Sequence, residues 1–147
     1  MASNREIALQ ALLATIRAAV PSGTIVRRND GGASYSAATA VYLDIMDGDP
    51  GEPDIGLSPE RYFWRHEAEI YIGIEGNTGP VRASERDTLI MAIDAAINAD
   101  PTLGNKVQDS EVGTPRVADL ARAEGGPGIA ATVLPVILEY ESATRAG

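Results

Sequence analysis

Residues 62–75 read YFWRHEAEIYIGIE, and the alternation in this stretch decides the fold class. Tyr62, Trp64, His66, Ala68, Ile70, Ile72 and Ile74 fall on one side of an extended chain, and Arg65, Glu67, Glu69 and Glu75 on the other. A period of two with one apolar and one charged side marks a strand that covers a core with one face and meets water with the other. About fourteen residues is well beyond the usual five or six, and at about 3.3 Å per residue such a strand projects roughly 45 Å. It either bends at Gly73 or extends beyond its own domain.

Before this strand, Val41, Leu43 and Ile45 alternate with Tyr42, Asp44 and Met46, which predicts a second strand over 40–46. Between the two lies DGDPGEPDIGLSP, residues 47–59, an acidic run rich in proline and glycine that predicts a long loop with no regular element. At the N-terminus, Ser3 and Glu6 have the spacing of a capping box, and Leu9, Leu12, Leu13, Ile16 and Val20 follow at helical intervals until Pro21. A short strand over 24–28 and a turn over 29–32 connect this helix to the strand at 40–46.

Beyond the long strand, GNTGP (76–80) predicts a turn and Ser84 with Asp87 a helix start. Leu89, Ile90, Ile93 and Ile97 form the stripe of that helix, and Asp100 with Pro101 ends it. A strand is predicted over 107–112 and a last one over 131–141, with Leu134, Val136, Leu138 and Tyr140 on one face and Glu139 and Glu141 on the other. Pro135 has no N–H to donate, so this is an edge strand or the proline sits at a bulge. The order α, three β, α, two β describes a single α+β domain over 1–147: a mainly antiparallel sheet of four to five strands with two amphipathic helices packed on one face.

The chain carries 12 basic and 21 acidic residues, a net charge of −9, and no cysteine. Disulfide scaffolds, thiol catalysis and cysteine zinc sites are excluded, and general affinity for phosphate backbones or anionic membranes is disfavoured. The sequence contains no apolar run of the roughly 18 to 20 residues that a membrane span needs and no secretory signal, so a soluble cytoplasmic protein is expected.

Chemistry is sparse. The one histidine, His66, sits on the apolar face of its strand, where a buried structural role is expected rather than that of a base. Asp47, Asp49 and Gly51 begin like a calcium loop, but Glu52 stands where that loop needs glycine and Ser58 where it needs a bidentate glutamate, so no metal is expected. Glu67 and Glu69 beside Arg65 read as an exposed charged face, and no glycine-rich phosphate loop or other cofactor motif occurs. No catalytic residue and no cofactor is assigned. Of the adjacent aromatics Tyr62, Phe63 and Trp64, Phe63 falls on the polar face, where it is suited to anchoring an interface.

The amphipathic N-terminal helix, the acidic loop, the strand YFWRHEAEIYIGIEG, the helix running into INADPTLGNKVQD (97–109) and the terminal VLPVILEYES (133–142) together resemble the tail terminator, or tail completion, proteins of long-tailed phages and phage-derived particles such as gene-transfer particles. The resemblance spans nearly the whole chain. Its most specific part is 84–107, where many relatives have a second glycine at the position of Asn105.

It implies a non-catalytic structural protein: a homohexameric ring that caps the tail tube, stops its polymerisation and joins the head. Its partners would then be its own copies, the tube protein and the head-tail connector. It would form in the host cytoplasm and end in the particle's tail. Six copies at −9 each carry about −54, and charge lining the lumen would repel passing DNA rather than bind it. Asp47, Asp49, Glu52 and Asp54 are the candidate segment that orders on contact with tube or connector. Arg61 and Arg65 are candidates to pair with acids of the neighbouring subunit, and Phe63, Glu67 and Glu69 complete the candidate interface. The alternatives are a connector or tube protein of the same particle and, from another class, a small α+β enzyme such as an acyl transferase.

Overall fold

The structure is a computed structural model describing residues 2–22, 24–28, 41–75, 79–117 and 129–147. The chain is α+β. The elements in order are α1 (Asn4–Ala19), β1 (Ile25–Arg28), β2 (Val41–Asp49), β3 (Asp54–Gly56), β4 (Arg61–Glu75), α2 (Gly79–Ala99), β5 (Asp109–Val112), β6 (Arg116–Val117) and β7 (Ile129–Ser142). Among the described residues, seven strands make one open sheet of order β1-β2-β4-β7-β5, with β3 beside β4 and β6 beside β7, and of their pairings only β1–β2 is parallel.

The long strand is confirmed, and its length has a specific use. β4 pairs with β7 from Tyr62 opposite Ser142 to Glu75 opposite Ile129, so two long strands form a continuous antiparallel ribbon. β3 and then β2 occupy the free edge of β4, while β5 and β6 occupy that of β7. Trp64, His66, Ala68, Ile70 and Ile72 are buried as the alternation requires, together with Leu134, Val136, Leu138 and Tyr140. These residues share one apolar cluster with Ala8, Leu9, Leu12 and Ile16 of α1 and Leu89, Ile93 and Ile97 of α2. The two helices also touch each other.

Several boundaries differ from the sequence reading. Residues 47–59 are not an irregular loop: β2 continues through Asp49, and Asp54–Gly56 forms β3 against Arg61–Phe63. Proline and glycine break this run only at Pro50–Pro53 and 57–60, and the long neighbouring strand provides a template for the residues between. α2 starts at Gly79 rather than Ser84, because the N–H that proline lacks is one that the first helical turn leaves unpaired anyway. The N-terminal cap is as expected: the Ser3 hydroxyl accepts from the Glu6 N–H at 3.2 Å, while the Glu6 carboxylate turns to Arg28 instead of closing the box. The turn expected over 29–32 lies outside the described residues.

Pro135 belongs neither to an edge strand nor to a bulge of its own strand; β7 is interior. Its carbonyl accepts from the Gly113 N–H at 2.8 Å, so its donorless nitrogen faces the same edge, in the gap between β5 and β6. A Cβ on Gly113 would come within 2.9 Å of the proline ring, so the break in the partner edge is fitted to the proline. The phrase ADPTLGN forms the turn after α2, with Leu103, Gly104 and Asn105 all in the left-handed region, at φ 50°, 70° and 64°. Asparagine is among the few side chains that tolerate this region, which accounts physically for Asn105 at a position compatible with glycine.

One bulge ties the sheet to its core. The β2–β4 register shifts between Met46 and Asp49, and Gly48 closes the irregularity at φ 69°. A Cβ there would sit 2.0 Å from the Glu67 carbonyl oxygen. Gly104 has nearly the same φ, but a Cβ on it would meet nothing within 4 Å. Gly104→Ala is therefore expected to cost about 1 kcal/mol, the left-handed penalty alone, and Gly48→Ala about 3 kcal/mol or more because backbone must also move. Urea denaturation of the two variants checks the order.

Candidate functional site

The candidate residues from the sequence fall into three places. Asp47 lies where β2 meets α1: Arg28 bridges its carboxylate at 2.9 Å and that of Glu6 on the helix. The hydrogen bond from Arg28 holds the Glu6 carboxyl below its ordinary value, partly opposed by burial, and raises Arg28 in turn. Asp47 is thus part of a brace between helix and sheet. Asp49 caps its own turn by accepting from the Gly51 N–H at 2.9 Å. With these contacts 47–59 comprises the end of β2 and the arm that carries β3.

The second place is the tip of this arm. Asp54 stands opposite Phe63, Ile55 opposite Tyr62 and Gly56 opposite Arg61. The Phe63 ring packs over Gly56, where a Cβ would come within 2.9 Å of it, yet the side chain remains 39% exposed. Ile55 is 48% and Leu57 80% exposed, and Glu52, Asp54, Glu60 and Arg61 are exposed around them. Tyr62 donates to Glu60 at 2.6 Å, and the Arg145 guanidinium lies 5.6 Å from the centre of its ring. The tip thus exposes Phe63 on the outer face of the ribbon and Ile55 on the opposite face, with Leu57 at the turn between them and acidic residues around them.

The third place is the outer face of the ribbon. Arg65 meets Glu111 at 3.0 Å and Glu139 at 3.6 Å, and Arg116 meets Glu69 at 2.9 Å and Glu67 at 3.5 Å. Arg65, read from sequence as a partner for a neighbouring subunit's acids, already has two of its own across the strands. Exposed pairs of this kind contribute about 0–1 kcal/mol each, so the ladder shapes the field of this face more than it stabilises the fold. Asp54, Phe63, Arg65, Gln108 and Glu139 border a shallow recess of about 290 Å³ where this face meets the tip.

The sequence reading missed Ile55 and Leu57, although a signal was present: they are the only aliphatic residues in 47–59, two apart, flanking Gly56. Glu111, Arg116 and Glu139 offered no signal, since only the strand register brings them to Arg65 and the two glutamates.

His66 is fully buried, and both ring nitrogens are engaged. Nε2–H donates to the Asp47 carbonyl, which the Gly48 bulge turns inward, and Nδ1 accepts from the Tyr140 hydroxyl at 2.8 Å. Arg5, 5.5 Å from the centre of the Trp64 ring, lies beside the same tyrosine, and Trp64 donates to Ser142 at 2.8 Å. This buried polar network locks the end of the ribbon under the start of α1. Among the described residues no three histidine, aspartate or glutamate side chains group as metal ligands, and no helix is long and apolar enough to cross a membrane. The chain matches no protein-family model and no curated protein.

Burial lowers the His66 pKa from its ordinary 6.5, with the Asp47 carbonyl and carboxylate opposing and Arg5 assisting. The unfolded chain therefore binds this proton more readily than the folded one, and stability falls as pH drops below about 6.5, by up to about 1.4 kcal/mol per pH unit, until the folded pKa is passed. In His66→Gln the loss between pH 6.5 and 5 is expected to disappear while stability at pH 8 is lower. Urea midpoints of the two proteins across pH 5–8 check this.

Proposed function

We propose that the chain is a structural subunit of the tail-terminator type: six copies form a ring that ends the tail tube of a phage or phage-derived particle and gives the head its joining surface. The observation that carries this reading is the hairpin arm. A chain that buries most of its large aliphatic residues in one cluster nonetheless keeps Ile55, Leu57 and Phe63 exposed on a projection rimmed by Glu52, Asp54 and Glu60. Apolar anchors inside a polar rim are the composition of an assembly contact.

Two further features support it. The sheet is open: among the described residues no strand covers the outer edge of β1 or β5, and unequal free edges suit a head-to-tail contact that closes into a ring. The net charge of −9 per copy would keep a ring's lumen from holding DNA as it passes. His66, committed through both nitrogens to the fold, is poorly placed for proton transfer, which weighs against the small-enzyme reading.

Light scattering on the purified protein, alone and with tail tubes, tests this. A ring near six times 15.4 kDa that halts tube growth is expected. Strict monomers in both conditions overturn the reading, and open-ended tubes of this chain alone would make it a tube protein.

Glu52→Gln combined with Asp54→Asn is expected to reduce head joining by about ten-fold or more with the urea midpoint unchanged. Among the described residues neither carboxylate forms a side-chain hydrogen bond or ion pair. Asp47→Asn should instead lower the midpoint, since it releases Arg28. Particle assembly assays together with denaturation separate the two.

A further inference from the structure

Leu57 needs an apolar seat, and the chain carries one at its other end. β3 and the turn after it lie beside Arg61–Phe63 at the start of β4. Near the end of β4, Val41 pairs with Ile74 and borders a groove between β2, the end of α1 and α2. Two adjoining hollows of about 290 and 250 Å³ share Pro21 and Thr24 there, and Val41 and Leu89 form the apolar wall. The fifteen residues of β4 hold knob and groove roughly 45 Å apart. Because Ile55 stands opposite Tyr62, its side chain shares the face of Trp64, the face that carries the helices and the groove.

We propose that the Leu57 tip of one copy seats in the Pro21–Val41–Leu89 groove of the next, as the head-to-tail contact of the assembly; this rests on the ring reading and deepens it. Charge commits the occupant to a second copy. The tip is rimmed by Glu52, Asp54, Glu60 and Arg61, a net acidic rim, and the lip of the groove carries Arg17, exposed, donating to the Val26 carbonyl at 3.2 Å and paired with no carboxylate among the described residues. Glu85, also on the wall, is already engaged within its own chain. Knob and groove are different surfaces, so each copy offers one and receives the other, and the contact propagates until rotation closes it into a ring.

The absence of cysteine makes the test clean. Leu57→Cys at the tip and Thr88→Cys in the groove are each built alone and together, with Thr114→Cys, exposed between β5 and β6 on the far side of the sheet, as the control partner. Under mild copper-phenanthroline oxidation, an equimolar mixture of the two single variants is expected to give a covalent dimer and nothing larger, while the double variant gives a ladder ending at the ring. Leu57→Asp should raise the concentration needed for assembly about ten-fold or more. Its thermal midpoint should not change, since Leu57 is exposed. A ring that forms normally, with no Leu57–Thr88 cross-link above the Thr114 control and no effect of Leu57→Asp, overturns this contact and leaves the ring reading standing. Monomers under every condition overturn both.

Discussion

Tyr62 faces Ser142 and Glu75 faces Ile129, and every pairing between them joins segments separated by more than fifty residues of chain. Such closure gains nothing until it is nearly complete, since the intervening chain must be ordered before non-local contacts compensate for it. Once made, it sets the two faces of the molecule together. Trp64, His66, Ala68 and Ile70 are carried opposite Tyr140, Leu138, Val136 and Leu134, and the apolar residues among them belong to one buried cluster with residues of α1 and α2. The same pairing sends Arg65, Glu67 and Glu69 to the other side, where β5 and β6 bring Glu111 and Arg116 to meet them.

A ribbon this long leaves problems that the short strands solve. His66 places a polar ring in an apolar floor, where an unpaired nitrogen would cost about 1–3 kcal/mol. The bulge at Gly48 aims the Asp47 carbonyl at it, and Tyr140 takes the other side. Pro135 removes a donor from an interior strand, and the partner edge breaks there, with Gly113 left without a side chain to make room. Both devices are local departures from regular pairing that keep the long register intact. The arm carrying Ile55 and Leu57 is a third consequence, since β4 begins before the helices cover it and β3 lines the portion left over.

Much of this was legible in the residues. The α+β class, both helices, the face of each long strand and the burial of His66 follow from period and capping, which are properties of neighbours in sequence. The arm was misread as irregular because proline and glycine dominate its composition, whereas β4 as a template outweighs local preference over Asp54–Gly56. Pro135 was assigned to an edge or a bulge because the local rule concerns its missing N–H, not which stretch of the partner edge lies opposite. Of the candidate interface, Phe63 was found as the one of three adjacent aromatics, Tyr62, Phe63 and Trp64, on the polar face. Leu57 was passed over inside an acidic run, and Asp47 was grouped with the tip although its carboxylate serves a brace to α1.

The sequence by itself determined which side chains face the core and which face water, because alternation in a strand and the 3.6-residue turn of a helix are imposed by the backbone within a few residues. Only the tertiary structure decided who stands opposite whom: Arg65 against Glu111 and Glu139, Arg28 between Glu6 and Asp47, the knob at one end of the ribbon and the groove at the other. Those pairings depend on strand register and on where the chain returns. Both are set by packing between distant segments, which no local pattern encodes.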